Sequence, residues 1–185
     1  MIIAEYIMEG RGWSGQDPTG WLMSEKLRGC RAEWSGSALF SKSGNRIATP
    51  AWFTRGWPSG YRLSGEIYAG RCEVESASRL AVQYGEFVRG VHTFRIFDMP
   101  HAPGNVCERV ELATSLIAGA SYALPVTFTI CEGLDHLIDA LRDIQDGGGE
   151  GLMLHHPTAP WTAGRTNNLL KVKSLSFALC QAAIQ

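Results

Sequence analysis

Ser24-Glu25-Lys26-Leu27-Arg28-Gly29-Cys30-Arg31 sets one lysine between an apolar stretch and a glycine. Residues 21–25 read as a short strand running into Lys26, and residues 30–34 as the strand that follows. A lysine at a strand end, followed by a glycine that lets a ligand approach, suits a nucleophilic amine. The same pattern also fits a solvated charge before a turn, so the rest of the chain has to decide. Lysine usage is the first support. The chain has thirteen arginines but only four lysines, Lys26, Lys42, Lys171 and Lys173. Arginine serves for general surface charge, whereas lysine can lose its proton and attack.

Further out, two isolated acids stand in apolar strand contexts flanked by glycine. They are Glu66 in Leu63-Ser64-Gly65-Glu66-Ile67 and Glu150 in Gly149-Glu150-Gly151-Leu152-Met153. Carboxylates so placed can hold Mg²⁺ or bind ribose hydroxyls, or can face water from a strand edge. Lys171 and Lys173 are two apart on a strand predicted over 169–173, so their side chains share a face. Two neighbouring ammonium groups favour an anion between them, and phosphate is the natural candidate; an exposed polar edge is the other reading. Phe97 precedes Asp98 at the end of a predicted strand, where an aromatic either stacks on a base or enters the core. Asp146-Gly147-Gly148-Gly149 is a helix-to-strand turn rather than a phosphate loop, since no Gly-Lys-Ser/Thr follows. His155-His156 has no second ligand cluster, which disfavours a metal there.

At 185 residues the chain is long enough for one domain with a sizeable core. Its 45% hydrophobic and 19% charged content is ordinary for a soluble globular protein. No apolar run reaches the ~18–20 residues that span a bilayer. Residues 1–10 carry Glu5 and Glu9 and lack a basic segment, which argues against a signal peptide and for the cytoplasm, with no membrane partner; a monomer is the expected state. The five cysteines, Cys30, Cys72, Cys107, Cys131 and Cys180, are odd in number and form no C-x-x-C, so free thiols are expected rather than disulfides or zinc. The net charge of −1 excludes a polycation. Residues 1–62 nevertheless hold eight Lys/Arg against five Asp/Glu, a weak basic bias compatible with phosphate contact.

Residues 1–20 read as a glycine-rich, loosely ordered approach to the first strand. Strands are predicted over 21–25, 30–34, 39–41, 61–68, 91–98, 126–130, 152–155 and 169–173. Ser43-Gly44-Asn45 is turn chemistry, and 50–59 is an aromatic loop. Helices are predicted over 76–88, around Val106, Val110, Ala113 and Ile117, and over 134–144, where Leu134, Leu137, Ile138, Leu141 and Ile144 make an apolar stripe. Strands and helices without regular βα alternation imply an α+β fold with largely antiparallel sheets.

In order along the chain, these pieces resemble the collinear motifs of the covalent nucleotidyltransferases, specifically the small bacterial and phage ATP-dependent DNA ligases. Lys26-Leu27-Arg28-Gly29 with Arg31 resembles the nucleophile motif. Ser41-Lys42-Ser43-Gly44-Asn45 resembles a Ser-Arg-Asn-Gly-like segment, and Leu63-Ser64-Gly65-Glu66 the Leu-Asp-Gly-Glu motif. Residues 94–100 resemble the aromatic-Asp strand. Glu150-Gly151-Leu152-Met153-Leu154 and Leu170-Lys171-Val172-Lys173 resemble the last two motifs. Thr49-Pro50-Ala51-Trp52-Phe53, Glu108-Arg109 and Ala163-Gly164-Arg165 are similar to intervening family stretches, and the likeness spans roughly residues 20–175.

The resemblance implies a single adenylation domain over 1–185, of the DNA ligase and mRNA-capping, ATP-grasp-like fold. Lys26 would attack the α-phosphate of ATP and carry AMP, and AMP would pass to the 5′-phosphate of nicked double-stranded DNA before sealing, in repair or replication. Arg31 and Glu66 would contact the ribose and the AMP end of the site, Phe97 would stack on adenine, and Glu25 would lie beside it. Lys171 and Lys173 would hold the α-phosphate. Lys42, with Arg28, would meet the DNA phosphate. Glu150 and Glu66 would bind Mg²⁺ or Mn²⁺.

Three positions depart from the pattern. Arg28 and Ser64 stand where the family carries Asp, and Lys42 where it carries Arg. Reversing a charge at ~4 Å is worth about 4 kcal/mol at an effective dielectric of ~20, so Arg28 is not a neutral change. Lys42 keeps the charge and loses the bidentate fork. Relatives also follow the lysine pair with an oligonucleotide-binding barrel, for which residues 174–185 leave no room, so either a truncated ligase or a separate chain supplying the barrel is expected. These departures sustain an alternative, a degenerate homologue that binds ATP or nicked DNA without efficient sealing. An RNA ligase is a weaker alternative.

Overall fold

The computed structural model describes residues 7–71 and 75–183. Cys72 and residues 1–6, on which the free-thiol and leader expectations partly rest, lie outside the described residues. The elements run β1 (Met8–Gly12), β2 (Leu22–Glu25), β3 (Cys30–Trp34), β4 (Leu39–Ser41), β5 (Leu63–Tyr68), α1 (Glu75–Tyr84), β6 (Thr93–Asp98), α2 (Val106–Leu116), β7 (Ala123–Pro125), β8 (Thr129–Ile130), α3 (Leu134–Asp146), β9 (Leu152–His155), β10 (Gly164–Val172) and α4 (Leu175–Ala182). They form two five-stranded sheets, β1-β10-β9-β2-β8 and β4-β3-β5-β6-β7. All pairings are antiparallel except β1 with β10 and β6 with β7. The α+β expectation therefore holds.

Each sheet buries its own core. Leu137, Leu141, Leu152, Leu154 and Leu170 pack α3 against the first sheet, because the apolar stripe of α3 recurs every three or four residues. Phe53, Trp57, Leu63, Ile67, Phe94 and Ile96 fill the second. The loop over 50–59 is thus a core plug. Phe53 is fully buried, and Trp57 stacks on Phe94 with ring centroids 4.9 Å apart. Asn105 and Glu108 close a capping box at the start of α2.

The structure corrects several predicted elements. Of the strand expected over 126–130 only β8, Thr129–Ile130, forms, beside β2; β7, beside β6, ends just before it at Pro125. The Val126 N–H still donates to the Ile96 carbonyl at 2.8 Å, and the chain crosses between the sheets after it. The approach expected over 1–20 contains β1, an edge strand parallel to β10. Gly10 permits that pairing, since a Cβ there would stand 2.8 Å from the Leu169 carbonyl oxygen. The helix expected over 76–88 stops at Tyr84, where Gly85 turns left-handed at φ 71°. β10 begins at Gly164 rather than 169, and α4 follows it, started by Ser174 accepting from the Phe177 N–H. No helix among the described residues is long and apolar enough to cross a membrane.

Candidate active site

Lys26 follows the last residue of β2 and stays in register with β9, its N–H donating to the Gly151 carbonyl at 2.8 Å. Two glycines make this junction possible. A Cβ on Gly151 would lie 2.3 Å from the Val172 carbonyl oxygen, and one on Gly29 would lie 2.2 Å from that of Ile67. Gly29 therefore admits the neighbouring strand β5 rather than a ligand. Its N–H reaches Glu66 Oε1 at 3.2 Å.

The two sheets enclose a cavity of about 250 Å³. Lys26, Glu25 and Ser24 line it from β2 and its end, Met153 and His155 from β9, Lys171 from β10, and Arg31, Glu66 and Phe97 from the second sheet. Glu9 and Lys42 border it too. A shallower hollow beside it is lined by Lys26, Arg28, Glu66 and Glu150. Lys26, Leu27 and Glu66 are common to both.

Lys26 Nζ lies 2.7 Å from Glu150 Oε2, and Lys173 pairs with the other oxygen, Oε1. Burial pushes the Glu150 carboxyl up, but the hydrogen bonds from Lys173 and Lys26 outweigh it and leave it below its ordinary value. Glu66 behaves oppositely. Burial raises it to about 7 despite the opposing charges of Arg31 and Lys26. Burial also lowers the Lys171 ammonium.

All ten residues singled out in the sequence gather around this cleft, with four refinements. Lys171 lines the cavity, but Lys173 lies one residue past β10 and meets the site through Glu150. Lys42 is exposed and pairs with Glu9 at 2.5 Å, which holds the Glu9 carboxyl low. Glu25 is gripped by both arms of Arg71 at 2.8 Å. The Arg31 guanidinium covers one face of Phe97, 4.4 Å from the ring centroid, so a base stacking on Phe97 must use its other face or displace Arg31.

Ser24 and Glu33 escape the sequence reading, and His155 enters it only as a disfavoured metal ligand. Ser24 and His155 face each other at 3.3 Å on β2 and β9. Burial, then the charge of Arg109, lowers His155 to about 3, so it is a neutral imidazole. Its place opposite Leu22 and Leu169 follows from strand register, which the sequence does not state. Glu33 sits two residues after Arg31 on β3 and contacts it. The i,i+2 rule could have found that pair.

A two-sheet α+β domain with a lysine and two carboxylates in the cleft is the nucleotidyltransferase domain of polynucleotide ligases. The sequence is 30% identical over 171 residues to the DNA ligase of Haemophilus influenzae, matching 91% of this chain and 63% of the relative. It superposes on a solved Lig E DNA ligase with a TM-score of 0.81 at 30% identity, covering 91% of this chain and 68% of that one. The chain belongs to the DNA ligase family. The fold also matches the Chlorella virus DNA ligase-adenylate (TM-score 0.74, 19% identity, 90% and 66% covered). It matches the bacteriophage T7 ATP-dependent DNA ligase in complex with ATP as well (0.69, 12%, 92% and 69%). No family model matches the sequence. The chain spans about 63% of the length of the H. influenzae relative.

Proposed function

We propose that this chain is the adenylation module of an ATP-dependent DNA ligase and that Lys26 becomes the lysyl-AMP. The observation carrying this reading is the position of Lys26 Nζ, at the wall shared by the cavity and the hollow and 2.7 Å from Glu150 Oε2. The amine attacks the α-phosphorus of ATP. A P–N bond forms, the P–O bond to the β-phosphate breaks, and pyrophosphate leaves. Glu150 Oε2 is within reach of the proton that Nζ gives up. Lys171 offsets charge on the α-phosphate from the cavity wall. Phe97 and Met153 offer apolar surface to the purine, and Arg31 and Glu66 face the ribose. In the later steps AMP passes to the 5′-phosphate of a DNA nick, and the 3′-hydroxyl displaces it.

Two carboxylates beside a phosphate-binding cavity suit Mg²⁺, which takes few protein ligands and completes its shell with substrate oxygens and water. Glu66 and Glu150 would hold it, and bound Mg²⁺ would offset phosphate charge.

Intact mass after incubation with ATP and Mg²⁺ is the test. Wild type is expected to gain one acid-labile AMP, and Lys26→Ala none. Absence of the adduct from wild type, both as purified and after incubation, overturns the reading. Arg28, exposed beside the hollow where the family carries Asp, favours a second reading in which the chain binds but does not seal. A pre-adenylated nick that stays open with wild type would select it. Nicked RNA sealed in preference to nicked DNA would select the RNA-ligase alternative.

A further inference from the structure

We infer that Glu33 is the positioning residue for Arg31 and supplies, from the neighbouring strand, the negative charge that Ser64 lacks. The inference rests on the reading of Arg31 as a nucleotide-contacting residue. Arg31 and Glu33 share one face of β3, and their partners across the ladder on β5 are Glu66 and Ser64. Arg31 Nε donates to Glu33 Oε1 at 3.0 Å, and Arg31 Nη2 donates to Ser64 Oγ at 2.8 Å. The Ser64 hydroxyl then donates to the same Glu33 Oε1 at 2.5 Å. This closed ring of three hydrogen bonds fixes the guanidinium plane where it lies over Phe97 and borders the cavity.

Ser64 alone could orient the guanidinium but could not balance its charge. It is fully buried, and Glu33 is 1% exposed. Glu33 Oε2 is buried and has no hydrogen-bond partner among the described residues. A buried carboxylate half-satisfied in this way is a costly means of adding stability. What it accomplishes is geometric, holding one cation at one angle. The carboxylate expected at position 64 has in effect moved across the strand pair to 33, and Ser64 links it back.

Relocation makes a specific demand: the charge should work from either strand. Glu33→Gln keeps the side-chain shape and removes the charge. It is expected to raise the ATP concentration for half-maximal adenylate formation by about tenfold, the loss of a charge-assisted hydrogen bond, with a smaller change in maximal rate. The Arg31 Nε–Hε resonance, read by NMR without nucleotide, should lose its protection from solvent exchange. Glu33→Gln/Ser64→Asp returns the charge on β5 and should restore both readouts. It should also fold if the single variant does not. A double variant that restores neither readout, or that fails to fold, overturns the inference, as does a Glu33→Gln protein unchanged in both. Should no protein form an adduct, the Arg31 resonance still decides this inference, and the missing adduct counts against the proposed function alone.

Discussion

Lys26 Nζ and Glu150 Oε2 meet 2.7 Å apart across the junction of β2 and β9, although 124 residues separate them in the chain. Glu150 holds Lys173 with its second oxygen, so one carboxylate fixes two of the four lysines. Removing it frees the nucleophile from its orientation and from its proton acceptor. Glu150→Ala is expected to slow adenylate formation by about a hundredfold or more, the range of a lost acid–base partner. Lys26→Arg should abolish it, and quenched-flow sampling with intact-mass detection measures both.

Glu66 and His155 should give the protein opposing pH dependences. Glu66 is raised from 4.5 to about 7 on folding, so the folded state binds the extra proton and stability falls as pH rises through that window. His155 is lowered from 6.5 to about 3, so the unfolded chain binds the extra proton and stability rises with pH from 3 to 6.5. Between 4.5 and 6.5 the two oppose each other. Relative to wild type, Glu66→Gln should steepen the rise of stability with pH there, by at most about 1.4 kcal/mol per pH unit. His155→Gln should shift the slope the other way. Urea unfolding across a pH series reads both slopes, and a shift of the same sign in the two variants would contradict the assignment.

Arg109 and Asp98 form a bidentate ion pair at 2.6 and 3.0 Å, both nearly fully buried, and Arg109 also donates to the Gly104 carbonyl. The pair ties α2 to the end of β6, next to Phe97. Arg109→Ala leaves a carboxylate uncompensated in the core and should cost about 3–5 kcal/mol in a denaturant titration.

Arg28 sets a cation beside Glu66, Glu150 and Lys26 in the shallow hollow. Arg28→Asp removes that cation and adds a third acid. It is expected to lower the Mg²⁺ concentration for half-maximal adenylate formation several-fold. Mn²⁺ binding followed by electron paramagnetic resonance reads the same change without catalysis. Unchanged or weaker Mn²⁺ binding would rule out a metal in this hollow.

DNA affinity should be weak and its salt dependence shallow, because the chain carries a net charge of −1 and offers few cations to phosphate. Lys42→Ala should flatten the plot of log K against log salt by about one unit of slope. Glu9→Gln releases Lys42 from its ion pair and should tighten binding at low salt. Fluorescence anisotropy on a nicked duplex over a salt series measures both, and equal slopes for wild type and Lys42→Ala would remove Lys42 from the interface.

The sequence by itself determined the fold class and the identities of the main charged residues of the cleft. Lys26, Glu66, Glu150 and Lys171 are legible because each stands against a local background that does not need it, a rare lysine or a lone acid in an apolar strand. The order of the motifs then pointed to one family. Strand existence was equally legible where residues alternate, as in β6. What only the tertiary structure decided is which groups touch. The placing of β7 and β8 in different sheets, the edge strand β1, the Glu33–Ser64–Arg31 ring and the neutral His155 all depend on strand register and burial. Register is a relation between segments far apart in the chain, and burial depends on everything packed around a residue, so no local window contains either.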